Sequence, residues 1–283
     1  MVAASRPFAE HNAIEAVAFV AVFARDFTPR EAEFLLSLEA SLKDELPAVL
    51  RVNDMVINIV DGPNASPMSS QGQQLTGILL QHFREDGRPD WALRATGNRV
   101  IVNCWKYTRW NEVWPKARRF LLAALNLVAA DSNGIAQTGL QVVDKFIYDK
   151  LPGPEDYTIG EIFRDECPYL TQQARAAGQL WHVNQGWFGE STVKDIYGGR
   201  TLHVLNLASG AIGQTQLVTT IDHLAQTDFA GNVLPVSAMT SPARSDRSGA
   251  LVDDLFTWKH KVNRTVLLAS LTDAKRQSIG LEP

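Results

Sequence analysis

The stretch from Arg99 to Asp149 constrains the fold most, because it reads as strand, helix, strand. Arg99-Val-Ile-Val-Asn-Cys-Trp-Lys-Tyr107 is the first strand and Ile135–Tyr148 the second. Between them Trp110, Trp114, Leu121, Leu122 and Leu125 recur at helical spacing, laying one wide apolar face along a helix that ends near Ala130. Lys116, Arg118 and Arg119 belong to its other faces, and Asp131-Ser-Asn-Gly134 stops the helix and returns the chain. A helix of this kind buries its stripe on a sheet, so the class is mixed α and β.

Around this unit the chain divides in order. Ala13–Arg25 is a Val- and Phe-rich strand. Its apolar run, Ala13–Ala24, is interrupted by Glu15 and too short to span a bilayer, so it reads as a buried central strand and not as a membrane or signal segment. Thr28-Pro29-Arg30-Glu31 is the clearest local signal: a capping threonine, proline at the first helical position and glutamate closing a capping box. Phe34, Leu35, Leu38 and Leu42 give that helix its buried face. A strand over 48–60 follows, then the turn-rich loop Asp61–Gly72, a short helical or irregular piece through Leu79 and Phe83, and a hairpin around Thr96-Gly97-Asn98. The order β-α-β-β-β-α-β through residue 150 is close to a ferredoxin-like unit with an added strand.

Residues 151–178 turn polar and acidic and read as a connection. The second half, 179–283, opens as a meander over 179–190, 200–208 and 213–226, passes through a loop at 227–249, and closes with a helix over 250–270. Leu251, Leu255, Trp258, Val262 and Val266 form that helix's stripe; Asp253 and Asp254 come early and Lys259, Lys261 and Arg264 late, as the helix dipole prefers. The expected architecture is therefore α+β in two antiparallel or mixed sheet halves: a ferredoxin-like half over 1–150, and a β-meander covered by a long C-terminal helix over 179–283. No internal sequence repeat marks the chain.

A formal net charge of -4 and a pI near 5.9 argue against a protein held on nucleic acid by bulk charge. Cys104 and Cys167 are far apart and form no CxxC signature, and Cys104 lies in an apolar strand as an inert thiol. A reducing cytoplasm fits, and no membrane segment is read. There is no GxGxxG, P-loop, GxSxG or HExxH, so no cofactor is expected and a non-enzymatic role is favoured. His182, His203 and His223, one on each meander strand, are the only metal constellation to weigh. With a turn around Ser209–Gly213, His203 falls opposite Thr219 and on the order of 13 Å from His223, too far to share an ion. No metal site is expected, and satisfied strand histidines are the default. The more informative surface is Tyr107, Arg109, Trp110, Lys116, Arg118 and Arg119, where aromatics interleaved with cations can stack bases and hold phosphates, or anchor a protein. The bland reading makes the tryptophans core and the cations a solvated face.

Three segments carry a family likeness: Ala13-Ile-Glu-Ala-Val17, Tyr107-Thr-Arg-Trp110 and the strand Ile135–Phe146. In them the chain resembles a sporadically distributed family of bacterial proteins, about 250–280 residues long, that carries no established chemistry. Where that family tends to show arginine, an aromatic and asparagine in the third segment, this chain reads Gly139-Leu-Gln141-Val142-Val143-Asp144. The resemblance implies a mixed α/β fold and a mobile gene context, as in defence or toxin–antitoxin cassettes. Two readings of function follow. The first is a non-enzymatic component that binds a protein partner, of antitoxin or immunity type. The alternative is a nucleotide- or RNA-binding or processing protein that uses the basic aromatic helix 107–119. A small-ligand pocket between the meander and the helix over 250–270 is a third expectation.

Overall fold

Thr28 starts the first helix as its spacing predicts. Its hydroxyl accepts from the Glu31 amide at 3.2 Å, and the Glu31 carboxylate accepts from the Thr28 amide at 2.7 Å, closing the box at the head of α1 (Pro29–Leu35). Arg25 grips the same carboxylate through two nitrogens, at 2.8 and 3.1 Å, and holds its pKa down at about 2. Thr28→Ala is expected to lower stability by about 1 kcal/mol, seen as a lower urea midpoint. An unchanged midpoint would mean that the Arg25–Glu31 pair alone orders this corner. A second short helix, α2 (Leu38–Ser41), turns Leu38 and Leu42 inward, while Phe34 stays exposed at 46%.

The computed structural model describes residues 4–57, 70–128, 133–153, 155–190, 199–213, 215–229, 231–240 and 250–282. Among the described residues ten strands are formed: β1 (Arg6–Pro7), β2 (Ile14–Phe23), β3 (Ala48–Ile57), β4 (Ser70–Phe83), β5 (Pro89–Thr96), β6 (Arg99–Cys104), β7 (Ile135–Tyr148), β8 (Trp181–Glu190), β9 (Arg200–Ile212) and β10 (Gln216–Asp228). They make one antiparallel sheet in the order β3-β4-β5-β6-β2-β7-β10-β9-β8, with β1 also paired to β7. The ferredoxin-like half and the two-halved sheet expected from sequence are not what the chain builds. A ferredoxin-like unit closes on four strands, whereas here a four-strand meander, β3–β6, follows the first helices and all ten strands run on as one continuous antiparallel sheet. The segment taken for a short helix, through Leu79 and Phe83, is the inner part of β4, with Ile78 and Leu80 buried. Its alternation is broken at Gly77, where the Ala95 carbonyl oxygen lies 2.1 Å from the position a Cβ would take. Glycine there serves close backbone approach and hides a strand from a pattern reading. Most of the loop expected at 61–72 lies outside the described residues.

The chain follows one course twice. After β2 come α1 and α2, the meander β3–β6 whose last strand returns to β2, and α3 (Trp110–Leu127). After β7 come a 3-10 turn (Ile159–Glu161) and α4 (Gln172–Ala176), then the meander β8–β10 whose last strand returns to β7. A short α5 (Val236–Thr240), the long α6 (Leu251–Ser270) and α7 (Asp273–Ser278) complete the chain. The two courses join through the antiparallel β2–β7 pair into a continuous sheet.

The inward rows of this sheet pack under the helices as two apolar clusters. Phe19 and Phe23 of β2 meet Trp114 and Phe120 of α3 and Phe256 of α6 in one; Phe146, Leu205 and Ile221 meet Val266 and Leu267 of α6 in the other. Helix α6 spans both. Its buried residues are Leu251, Val252, Leu255, Phe256, Lys259, Asn263, Val266, Leu267 and Ser270, so the stripe passes through Lys259 and Asn263 and leaves the expected Trp258 and Val262 only half-buried. A polar layer thus separates the two apolar clusters beneath the middle of α6. On the opposite sheet face a row of polar side chains runs across the strands, from Gln141 to Asp222 at 2.8 Å, then to Asn206 and Asn184. No helix of the described residues is long and apolar enough to cross a membrane.

Candidate functional site

The candidate site is built around an interruption in the first strand. β1 and β2 lie along the same side of β7: Arg6 and Pro7 face Ile147 and Phe146, and pairing resumes at Ile14 opposite Asp144. Between them the chain leaves the ladder as a tight loop, in which the Ala9 amide donates to the Asn12 carbonyl at 2.9 Å. Asn12 fastens the loop: its side-chain oxygen accepts from the Ile14 amide at 3.0 Å and its amide group donates to the Tyr107 carbonyl at 3.4 Å. Directly beside this gap, Asp144 projects to the helix side of the sheet.

A cavity of about 740 Å³ opens there, walled by the loop, the start of α3, the second half of α6 and the chain after α7. Asp144 lies in its wall at 1% exposure, and one carboxyl oxygen, Oδ2, has no hydrogen-bond partner. Burial pushes its pKa up to about 7, so this acid exchanges its proton near neutrality. Tyr107, whose hydroxyl pKa burial and Asp144 drive up, and Trp110 form one side. The Trp110 ring lies flat on His260 of α6, centroids 4.1 Å apart and planes 1° from parallel, and stacks on Trp114 behind it at 5.7 Å. Burial lowers the His260 pKa to about 4, so the stacked imidazole is neutral. Arg264 and Arg109 stand exposed at the rim. Arg264 donates to the Glu282 carbonyl at 2.9 Å, and Arg109 is the N-cap of α3 with no side-chain capping bond.

Asn263 links the cavity to a chain of buried imidazoles. Its side-chain oxygen lies 3.0 Å from His223 Nδ1, and His223 Nε2 lies 3.2 Å from His203 Nδ1. Burial lowers both histidine pKa values, that of His203 to about 4. The register differs from the one expected. The β9–β10 turn falls beyond Ile212, Thr219 faces Ser209, and His203 faces Ala225, one diagonal step from His223. The separation of about 13 Å inferred from a turn at Ser209–Gly213 is therefore replaced by a hydrogen bond. His182 sits exposed on the other sheet face, and no group of three His, Cys, Asp or Glu converges on a metal position among the described residues. Farther along, Lys259 is fully buried, donating to the Thr138 carbonyl at 3.3 Å and to the Thr227 hydroxyl, and burial lowers its pKa to about 7. It sits six residues of β7 from Asp144, about 20 Å, so the two buried charges do not neutralise one another.

Of the six residues singled out from sequence, the structure brings Tyr107, Arg109 and Trp110 together at the cavity. The other three point elsewhere. Arg118 pairs with Asp253 of α6 at 2.9 Å, Arg119 pairs with Glu45, and Lys116 lies over the rings of Trp91 and Phe120 at 5.0 and 5.7 Å. Trp114 is core, its indole donating to Asp253 at 3.0 Å. Cys104 is buried and its thiol pKa is pushed up to about 12, which leaves it unreactive.

Asp144, His260 and Asn263 were not reached from sequence. A signal existed for the first: Leu140, Val142, Asp144, Phe146 and Tyr148 form one alternating row, and a carboxylate in the middle of an inward row is out of place. Asn263 lies four residues beyond Lys259 and eight beyond Leu255, on the buried stripe of α6, where only apolar residues had been counted. His260 carries no pattern of its own. Compared with protein-family models, with curated proteins and with solved structures, the chain matches none.

Proposed function

We propose that the chain binds a small polar ligand in the cavity beside Asp144. The observation that carries this reading is a buried carboxyl group, one of its oxygens without a partner, in the wall of a cavity of about 740 Å³. Such an oxygen is costly to leave unpaired, and a ligand donor removes that cost. The cavity lies in the size range of small-molecule sites, and polar and apolar surface share its wall about equally. This is preferred to nucleic-acid binding along helix 107–119, because Arg118 and Arg119 are each engaged by a carboxylate of the same chain. It is preferred to a protein partner because the exposed apolar side chains, such as Leu50 on β3 and Phe188 on β8, stand at opposite edges of the sheet. The test is native mass spectrometry of the full chain after gentle purification from its own host. A retained small mass is expected, at least tenfold depleted in Asp144→Ala. A bare parent chain, together with no thermal shift from a broad metabolite panel, would remove the reading.

A further inference from the structure

Three groups of the cavity differ in charge and depth. Asp144 is the innermost ionisable group, and its unpartnered oxygen accepts a donor. Arg109 and Arg264 lie outside it at the rim, where α3 begins with its first-turn amides uncapped by any side chain. Leu267 and Trp110 line the space between. Resting on the ligand-binding reading, we infer that the ligand is a zwitterion on an apolar body: an ammonium that enters to Asp144, and a carboxylate held by Arg109 and Arg264.

The polarity of entry follows from charge. An anion sent inward would face the Asp144 carboxyl and the neutral His260 ring, with its favourable partners left behind at the rim. An ammonium sent inward meets a carboxylate, and its own carboxylate then stays where the two guanidiniums and the α3 amides are. A plain amine lacks the second contact and passes two cations on entry. A plain acid leaves the Asp144 oxygen unpaired. Glu282 and His11 also line the rim and face the same solvent, so the zwitterion's acid end is selected by the arginines against the one carboxylate there.

The full chain is titrated calorimetrically with L-leucine, with isopentylamine, which lacks the acid, and with 4-methylpentanoate, which lacks the amine. L-leucine is expected to bind at least tenfold tighter than either analogue, and Asp144→Asn to weaken L-leucine at least tenfold while leaving 4-methylpentanoate unchanged. Binding of either singly charged analogue as tight as that of L-leucine overturns the zwitterion class. If none of the three binds but a different mass retained from the host is displaced by Asp144→Ala, the class falls and the site stands. If none binds and no mass is retained, both fall.

Discussion

Asp144→Asn is expected to stabilise the protein at pH 8 relative to the parent, and to remove from the pH profile a component of stability that falls between pH 5 and 7.5. The buried carboxyl titrates at about 7, against an ordinary value of 3.8, so across that window the folded chain keeps a proton that the unfolded chain has already lost. Stability contributed by the protonated form is complete below pH 4, falls as pH rises through about 7, and is level above. The shift of about three units corresponds to about 4 kcal/mol at its limit. Asparagine keeps the shape and cannot ionise, so the loss does not occur. His203 and His260, lowered to about 4, and His223, also lowered by burial, act in part of the same window with the opposite sign, since the unfolded chain binds protons there that the buried imidazoles do not; the difference between parent and variant removes their contribution. Glu31, held at about 2, loses its stabilising contribution only as pH falls below the ordinary range. Lys259, lowered to about 7 from 10.5, makes the chain more stable as pH rises from 7 to 10.5, opposite in sign to Asp144. Urea midpoints at pH 5, 6, 7 and 8 separate these contributions. Parallel pH profiles for parent and variant would show that Asp144 is ionised or paired in the folded chain.

Glu161→Ala is expected to cost about 3–5 kcal/mol, because it leaves a buried lysine without its counter-charge. Lys275 of α7 sits 2.5 Å from Glu161 Oε1, with its side chain 8% exposed. The same carboxylate accepts from the Ser5 amide at 3.2 Å, the Ser5 hydroxyl at 2.7 Å and the Tyr148 hydroxyl at 3.2 Å. One group therefore ties the segment ahead of β1, the end of β7, the 3-10 turn and α7. Pairing Glu161→Ala with Lys275→Met is expected to recover more than half of the loss, since no uncompensated charge then remains. The comparison is made by denaturant unfolding, and the double variant supplies the reading if the single one does not fold. A single-variant cost below about 1 kcal/mol would mean that water reaches Lys275 and that the hub is a surface pair.

The segments with a local cause were legible in the sequence. The capping box at Thr28, the hairpin around Gly97, the helix from Trp110 and the long helix ending at Ser270 all stand within a few residues of where spacing put them, because caps, turns and apolar periodicity act over one or two turns of chain. The sheet was not legible. Strand β4 was hidden by Gly77 and a glutamine-rich start. The order that places β2 between β6 and β7 depends on contacts between residues more than 80 positions apart, as in Phe19 beside Val102 and Leu140. Half of the candidate site was visible as Tyr107, Arg109 and Trp110, since a helix start and its aromatic neighbours are local features.

What completes the site is tertiary. Asp144 becomes a buried acid only because β1 and β2 break beside it and α6 closes over it. His203 and His223 become partners only because the β9–β10 turn falls a few residues later than the glycines around Ser209 suggest. A strand's period of two tells which face a side chain takes, but register and covering element decide what it meets, and those are set by packing summed over the whole sheet. The sequence by itself determined the helices, most strand positions and the aromatic rim of the cavity; only the tertiary structure decided the single antiparallel sheet and the unpaired carboxylate beneath α6.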